Sequence, residues 1–215
     1  MKFDLVLFDL DGTISKSAQG IINCVQHALE SIGIHEENQA ILESFIGPPL
    51  SEQFQEVYGV DEQTSIQLLK KYRERYMPIG LYETSLYEGM DTLLKTCCQQ
   101  GIRCGIVSSK PQVYLKKVLE HLGVYSYFTE VVGPSLSNKE TDTKAAMIAS
   151  VLEKYPNQSV CMVGDRKFDV AGAKENHIFS IAVTYGYGTK EELEKAEPDC
   201  IVESVLSLQN FLTDK

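Results

Sequence analysis

The chain has 215 residues, 43% of them hydrophobic and 23% charged, a globular composition long enough for one core domain and a smaller appendage. A formal net charge of −10 and a pI near 4.9 exclude the broad basic face on which nucleic-acid polymers and acidic membranes bind. A small anion can bind only where local positive charge or a metal overrides that field.

The first predicted element is a strand over Phe3 to Phe8, which runs directly into two acids one residue apart, Asp9 and Asp11, followed by Gly12 and Thr13. Acids inside the apolar run of MKFDLVLFDLDG argue against a signal peptide or a membrane span, which needs roughly 20 apolar residues, so a cytoplasmic location is expected. From Ser15 to about Tyr87 the strand pattern stops. Gly20 to Ser31, Ala40 to Ser44, Leu50 to Tyr58 and Asp61 to Tyr76 read as helices, with "GPP" at Gly47 to Pro49 breaking two of them. Residues 15–87 are therefore expected to form an inserted, all-helical domain, and residues 1–14 with 88–215 the core.

Beyond Tyr87, short apolar runs recur at Arg103 to Val107, Phe128 to Val132, Ser159 to Val163, Phe179 to Val183 and, weakly, Cys200 to Val202. Their uniform apolarity predicts strands covered on both faces. Amphipathic patterns at Met90 to Gln100, Gln112 to Leu122, Lys144 to Glu153 and Phe168 to Asn176 separate them. Strand alternating with helix implies right-handed crossovers into a Rossmann-like α/β core with a parallel sheet. The six cysteines show no CxxC pair or zinc-site spacing and read as reduced and mostly buried. His27, His35, His121 and His177 have no partner spacing and read as helix-surface or cap positions.

In a parallel sheet the C-terminal strand ends share one edge, where ligands bind. That edge collects Asp9 and Asp11 from the first strand, Ser108, Ser109 and Lys110 from the second, and Asp165 with Asp169 from the fourth. Carboxylates gathered there repel one another unless a cation sits among them. Magnesium, a hard ion that takes oxygen ligands and bridges to phosphate, suits Asp9, Asp165 and, as a further candidate, Asp169, together with the Asp11 carbonyl. Lys110 or Lys144, with the Ser108 hydroxyl, would hold the remaining phosphate oxygens. The chemistry implied is phosphoryl transfer, with one acid of the pair attacking phosphorus and the other exchanging protons.

Each residue also has a plainer reading. Ser108 reads as a cap of the helix opened by Pro111, Lys110 as a loop charge, and Lys144 as a first-turn surface lysine, although a cation there opposes the helix dipole. Gly186 and Gly188 read as turn residues with positive φ, ahead of ligand contact. Arg73 and Arg75, with Tyr72 and Tyr76, read as a solvated helix face ahead of a cap surface that reads the leaving group, and Arg166 as a buttress of the metal site or the partner of a nearby acid.

"DLDGT" at Asp9 to Thr13, Ser108 followed by "SKP", Lys144, and "GDRKFD" at Gly164 to Asp169 resemble, in order, the four motifs of the haloacid dehalogenase superfamily. The resemblance covers essentially the whole chain. The insertion resembles the helical cap of the phosphoglycolate phosphatase-like branch, as do "IGPPL" at Ile46 to Leu50 and "VTYGYGTKEEL" at Val183 to Leu193. It implies Asp9 as nucleophile, Asp11 as general acid/base, Ser108 and Lys144 as phosphate ligands, and Asp165 and Asp169 as Mg2+ ligands beside Asp9 and the Asp11 carbonyl. Thr13, Ser109 and Lys110 are further candidate substrate ligands. The activity implied is a magnesium-dependent phosphatase acting on a small phosphorylated metabolite through an aspartyl-phosphate, as monomer or homodimer. Substrates implied are 2-phosphoglycolate, a nucleoside 5′-monophosphate or pyrophosphate; the alternative is a phosphomutase of the β-phosphoglucomutase type. Three positions depart from the pattern: Lys16 stands where an acid is frequent, Ser109 where an asparagine is usual, and no proline follows Lys144, which leaves Lys139 as a second candidate for that lysine.

Overall fold

The computed structural model describes residues 2–136 and 142–213, so Lys139 lies outside the described residues. In chain order the elements are β1 (Leu5–Phe8), β2 (Ser15–Lys16), α1 (Ala18–Glu30), α2 (Gln39–Glu43), α3 (Leu50–Tyr58), α4 (Glu62–Tyr76) and β3 (Ser85–Leu86). They continue with α5 (Met90–Gln99), β4 (Arg103–Val107), α6 (Gln112–His121), β5 (Phe128–Val132), α7 (Lys144–Leu152), β6 (Val160–Gly164), α8 (Lys167–Glu175), β7 (Phe179–Val183), α9 (Lys190–Ala196), β8 (Cys200–Val202) and α10 (Val205–Thr213). The chain divides into two compact units, Met1–Lys16 with Leu86–Lys215, and Ser17–Ser85.

The first unit is built on a parallel sheet of order β5-β4-β1-β6-β7-β8. From central β1 the chain builds outward through β4 and β5, then crosses back to β6, β7 and β8, so β1 is the point where the strand order reverses. At such a point the connections leave the sheet in opposite directions and open a crevice at the strands' carboxyl ends. Every residue of β1 and β6 is buried, as a sheet covered on both faces requires. Leu5 and Leu7 of β1 pack with Val160 and Met162 of β6 under Met147, Ile148 and Val151 of α7 and Ala173 of α8, while Val6 and Phe8 are buried on the opposite face. The outer strands depart from the expectation of two-sided cover: β5 is only partly buried, and Ile201 of β8 is 40% exposed.

Helices α9 and α10 are not legible in the sequence patterns described above. α9 has the sequence KEELEKA and buries only Leu193, too little apolar surface to show a period. α10 buries Val205, Leu208 and Leu212, and its Phe211 stacks on Phe179 of β7 at a centroid distance of 6.0 Å.

The second unit is helical. Its core contains Cys24, Val25, Ala28 and Leu29 of α1, Phe45, Phe54 of α3, and Leu68, Tyr72 and Tyr76 of α4. Phe45 and Phe54 pack tilted, with centroids 4.9 Å apart. Here the reading of a solvated helix face is corrected. Tyr72 and Tyr76 point inward and stack on each other, and Arg75 donates through both terminal nitrogens to Glu83, at 2.7 and 3.0 Å. Two aromatic rings four residues apart make an apolar face, and the arginine at its margin is closed off by the fork.

Candidate active site

The site grows from the end of β1. Asp9 continues the ladder, its N–H donating to Val163 O at 2.9 Å, and its side chain is left at the mouth of the crevice, 11% exposed. The chain then turns. Gly12 adopts φ +90° and its N–H closes on Ser15 O at 2.9 Å; a Cβ there would stand 2.1 Å from Asp165 Oδ2, so both conformation and space require glycine. Thr13 is fully buried and its hydroxyl donates to Asp165 Oδ1 at 3.1 Å.

Asp165 follows β6 and is fully buried. Asp169 lies in the first turn of α8, where Oδ2 accepts the Arg166 N–H at 3.1 Å, a favourable place for a carboxylate at a helix start. One carboxylate oxygen from each of Asp9, Asp165 and Asp169 lies within 4.8 Å of the others. Lys144, the first residue of α7, reaches into this group: Nζ is 2.8 Å from Asp9 Oδ1, 2.8 Å from Asp169 Oδ1 and 3.0 Å from Val107 O. Its side chain is 6% exposed, so it is no surface lysine. Thr143 takes over the capping of α7, accepting from the Ala146 N–H at 3.1 Å.

At the end of β4, Ser108 is buried, donates its N–H to Val132 O at 3.0 Å, and accepts the Lys110 N–H on Oγ at 3.3 Å. It does not cap α6. Lys110 Nζ pairs with Asp11 Oδ2 at 2.8 Å, and Ser109 is exposed on the same turn. Lys16 is exposed and lies over the Tyr87 ring at 5.3 Å. Arg166 pairs through Nε with Glu192 at 2.9 Å, while its backbone N–H donates to Asp169, so it meets a nearby acid and also supports one of the clustered carboxylates. The four histidines are all exposed.

The loop after β7 supplies partners that sequence reasoning missed. The Tyr187 N–H donates to Asp165 Oδ2 at 2.8 Å, and Tyr185 Oη donates to Thr13 O at 3.1 Å. Gly186 and Gly188 are not positive-φ turn residues. A Cβ on Gly186 would come within 2.3 Å of Asp165 Cβ, and one on Gly188 within 1.9 Å of Asp165 O, so the two glycines let the loop close against the buried acid. The signal was adjacency: this loop leaves the strand next to the one that delivers Asp165.

Electrostatics follow from burial. Desolvation pushes the Asp165 carboxyl well above the ordinary carboxylate range, and Asp9 and Asp169 add to the rise. Burial likewise lifts Asp169, to about 6, against the pull of Lys144. Burial alone would lower the Lys144 ammonium, but Asp169 and Asp9 outweigh it and hold it above its usual range. One lysine for three buried acids leaves excess negative charge, and the donor set is all hard oxygen, the environment a small divalent cation favours.

Known proteins that match this chain include phosphatases, a 5′-nucleotidase and a tyrosine-protein kinase PtkA. The model of the haloacid dehalogenase-like hydrolases matches residues 6–183. A 5′-nucleotidase of Pseudomonas aeruginosa is 34% identical over 99% of this chain and 96% of its own length. A phosphoglycolate phosphatase of Vibrio cholerae is 28% identical over 95% of this chain and 94% of its own. A crystal structure described as a predicted phosphatase from Clostridium acetobutylicum superposes with a TM-score of 0.92, at 37% identity and full coverage of both chains.

Proposed function

The chain belongs to the haloacid dehalogenase-like hydrolases and is an enzyme of their phosphatase kind, and from that premise we propose that it hydrolyses a small phosphomonoester through a phosphorylated Asp9. The observation that carries the reading is the convergence of Asp9, Asp165 and Asp169 on one point with Lys144 bound to two of them.

The oxygens of Asp9, Asp165 and Asp169, with the Asp11 carbonyl, would hold Mg2+. When bound, the ion neutralises phosphate oxygens and lets the crowded carboxylates remain ionised together. Asp9, oriented by Lys144, attacks phosphorus as the ester P–O bond breaks. Asp11 gives its proton to the departing alkoxide. In the second half, Asp11 takes a proton from water, the water oxygen bonds to phosphorus, and the Asp9–phosphorus bond breaks to release phosphate. Lys144 and the Ser108 hydroxyl hold the phosphoryl oxygens in both halves, while Thr13 and the Tyr187 amide fix Asp165. The inserted helical unit is assigned as the cap that selects the leaving group.

A nucleoside 5′-monophosphate is the first substrate to test, ahead of phosphoglycolate, because the nucleotidase relative is the more similar of the two over nearly the whole chain. Phosphate release from a panel of nucleoside monophosphates, phosphoglycolate, pyrophosphate and 4-nitrophenyl phosphate, with Mg2+ and with EDTA, tests both parts. Asp9→Asn should lower kcat by at least about 10³-fold on every substrate. Turnover surviving in that variant would refute the covalent step.

A further inference from the structure

The site contains two buried lysines, and they divide the acids between them. Lys144 serves Asp9 and Asp169, whereas Lys110 meets Asp11, with Nζ 2.8 Å from Oδ2 and side chains only 5% and 12% exposed. The Lys110 backbone is itself fixed. Its N–H donates to Ser108 Oγ at 3.3 Å, Ser108 is tied to β5 through Val132, and Pro111 follows with φ −52°. A Cβ on Gly133 would lie 2.4 Å from Lys110 O, so this backbone also packs tightly against the segment after β5. Asp11 stands in an isolated β-bridge with Ser15, and its buried Oδ1 makes no hydrogen bond among the described residues. The ammonium thus tethers this carboxylate from a neighbouring strand end.

Resting on the reading of Asp11 as the proton-exchanging acid, we propose that Lys110 is a positioning residue: it clamps Asp11 Oδ2 and so leaves Oδ1 as the atom that protonates the leaving group. The role is one of placement. An acid whose one oxygen accepts a hydrogen bond from a buried ammonium, in the protonated as in the ionised form, presents the other oxygen in one orientation, whereas an untethered aspartate turns about χ1 and χ2 and spends little time aimed at the ester oxygen. A lysine that simply bound phosphate would act on all substrates alike. A lysine that aims a general acid matters only where the leaving group needs a proton.

That difference is measurable in kcat/KM, which reports the steps through departure of the leaving group. Lys110→Met, Asp11→Asn and the double variant, in the full chain with Mg2+, are compared on 4-nitrophenyl phosphate and glycerol 2-phosphate. The nitrophenolate leaves without a proton and the glycerol alkoxide does not. Lys110→Met should lose on the order of 10²-fold on glycerol 2-phosphate and less than about tenfold on the aryl ester, matching Asp11→Asn in kind. In the Asp11→Asn background it should add less than about threefold. Equal losses on both esters, or losses that multiply in the double variant, would overturn the clamp while leaving Asp11 as the acid. An Asp11→Asn variant that itself loses equally on both esters would instead remove the assignment on which the clamp rests. Should Lys110→Met fail to fold, Lys110→Gln, with a neutral and shorter side chain, carries the same comparison.

Discussion

Lys144 connects three groups that the sequence keeps far apart, since its ammonium touches Asp9, Asp169 and the last carbonyl of β4. A buried cation with two carboxylate partners is a net of opposing terms, and removing it leaves charges with neither water nor counterion. Lys144→Met should therefore cost roughly 3–5 kcal/mol in EDTA by urea unfolding, and added Mg2+ should recover part of the loss by taking over the neutralisation. Equal losses with and without the cation would separate Lys144 from the acidic cluster. Lys144 reads as ambiguous in the sequence because one lysine at a helix start looks the same whether it faces solvent or three strand ends. Its burial belongs to the packing of α7 on β1 and β6.

At the level of elements, the loop between β7 and α9 is the part of the site that the strand-end motifs do not contain. It delivers a backbone donor to Asp165, and backbone donors leave no residue-type signature. The two glycines mark it, but for a reason opposite to the one their spacing suggests. Gly188→Ala should destabilise the fold by about 1–3 kcal/mol through overpacking against Asp165, with no contribution from a left-handed backbone. The same variant should show a smaller Mg2+-induced rise in Tm than the wild type. An unchanged urea midpoint together with an unchanged Mg2+ response would show that the close approach carries no constraint.

Across the whole molecule, the stored cost of the acidic cluster sets a pH dependence. The Asp169 pKa in the folded state, about 6, lies above the ordinary value near 3.8, so between those limits the folded chain holds a proton that the unfolded chain has released. Its contribution to stability is present in full below the lower limit and is lost as pH rises through about 6. Asp165 shifts in the same direction. Glu83, held low by Arg75, and Asp199, held low by Ser180, have the opposite sign, and their contributions fade only as pH falls below the ordinary carboxylate range. In EDTA, unfolding free energy should thus decline between about pH 4 and pH 6, by up to ~1.4 kcal/mol per pH unit for each unmatched proton. Asp169→Asn should flatten that slope. At pH 7, Mg2+ at a hundred times its Kd should restore about 2.7 kcal/mol. A flat profile in EDTA, or no response to the cation, would argue against a shared ion among these acids.

The sequence by itself determined the strands of the core and the helices as far as α8, the helical character of the insertion, and the acids, the serine and Lys110 at the strand ends. Those follow from periodicity and from the rule that parallel strands end on one edge, both local or nearly so. Tertiary structure alone decided which lysine meets which acid, that Thr13 and the Tyr187 amide both serve Asp165, and that Tyr72 and Tyr76 turn inward. These are outcomes of distance and burial between segments far apart in the chain, more than a hundred residues for Lys144 with Asp9 and for Thr13 with Asp165, and a one-dimensional pattern carries no distances. Residue type states what a group can do, and the folded neighbourhood selects which of its partners it keeps.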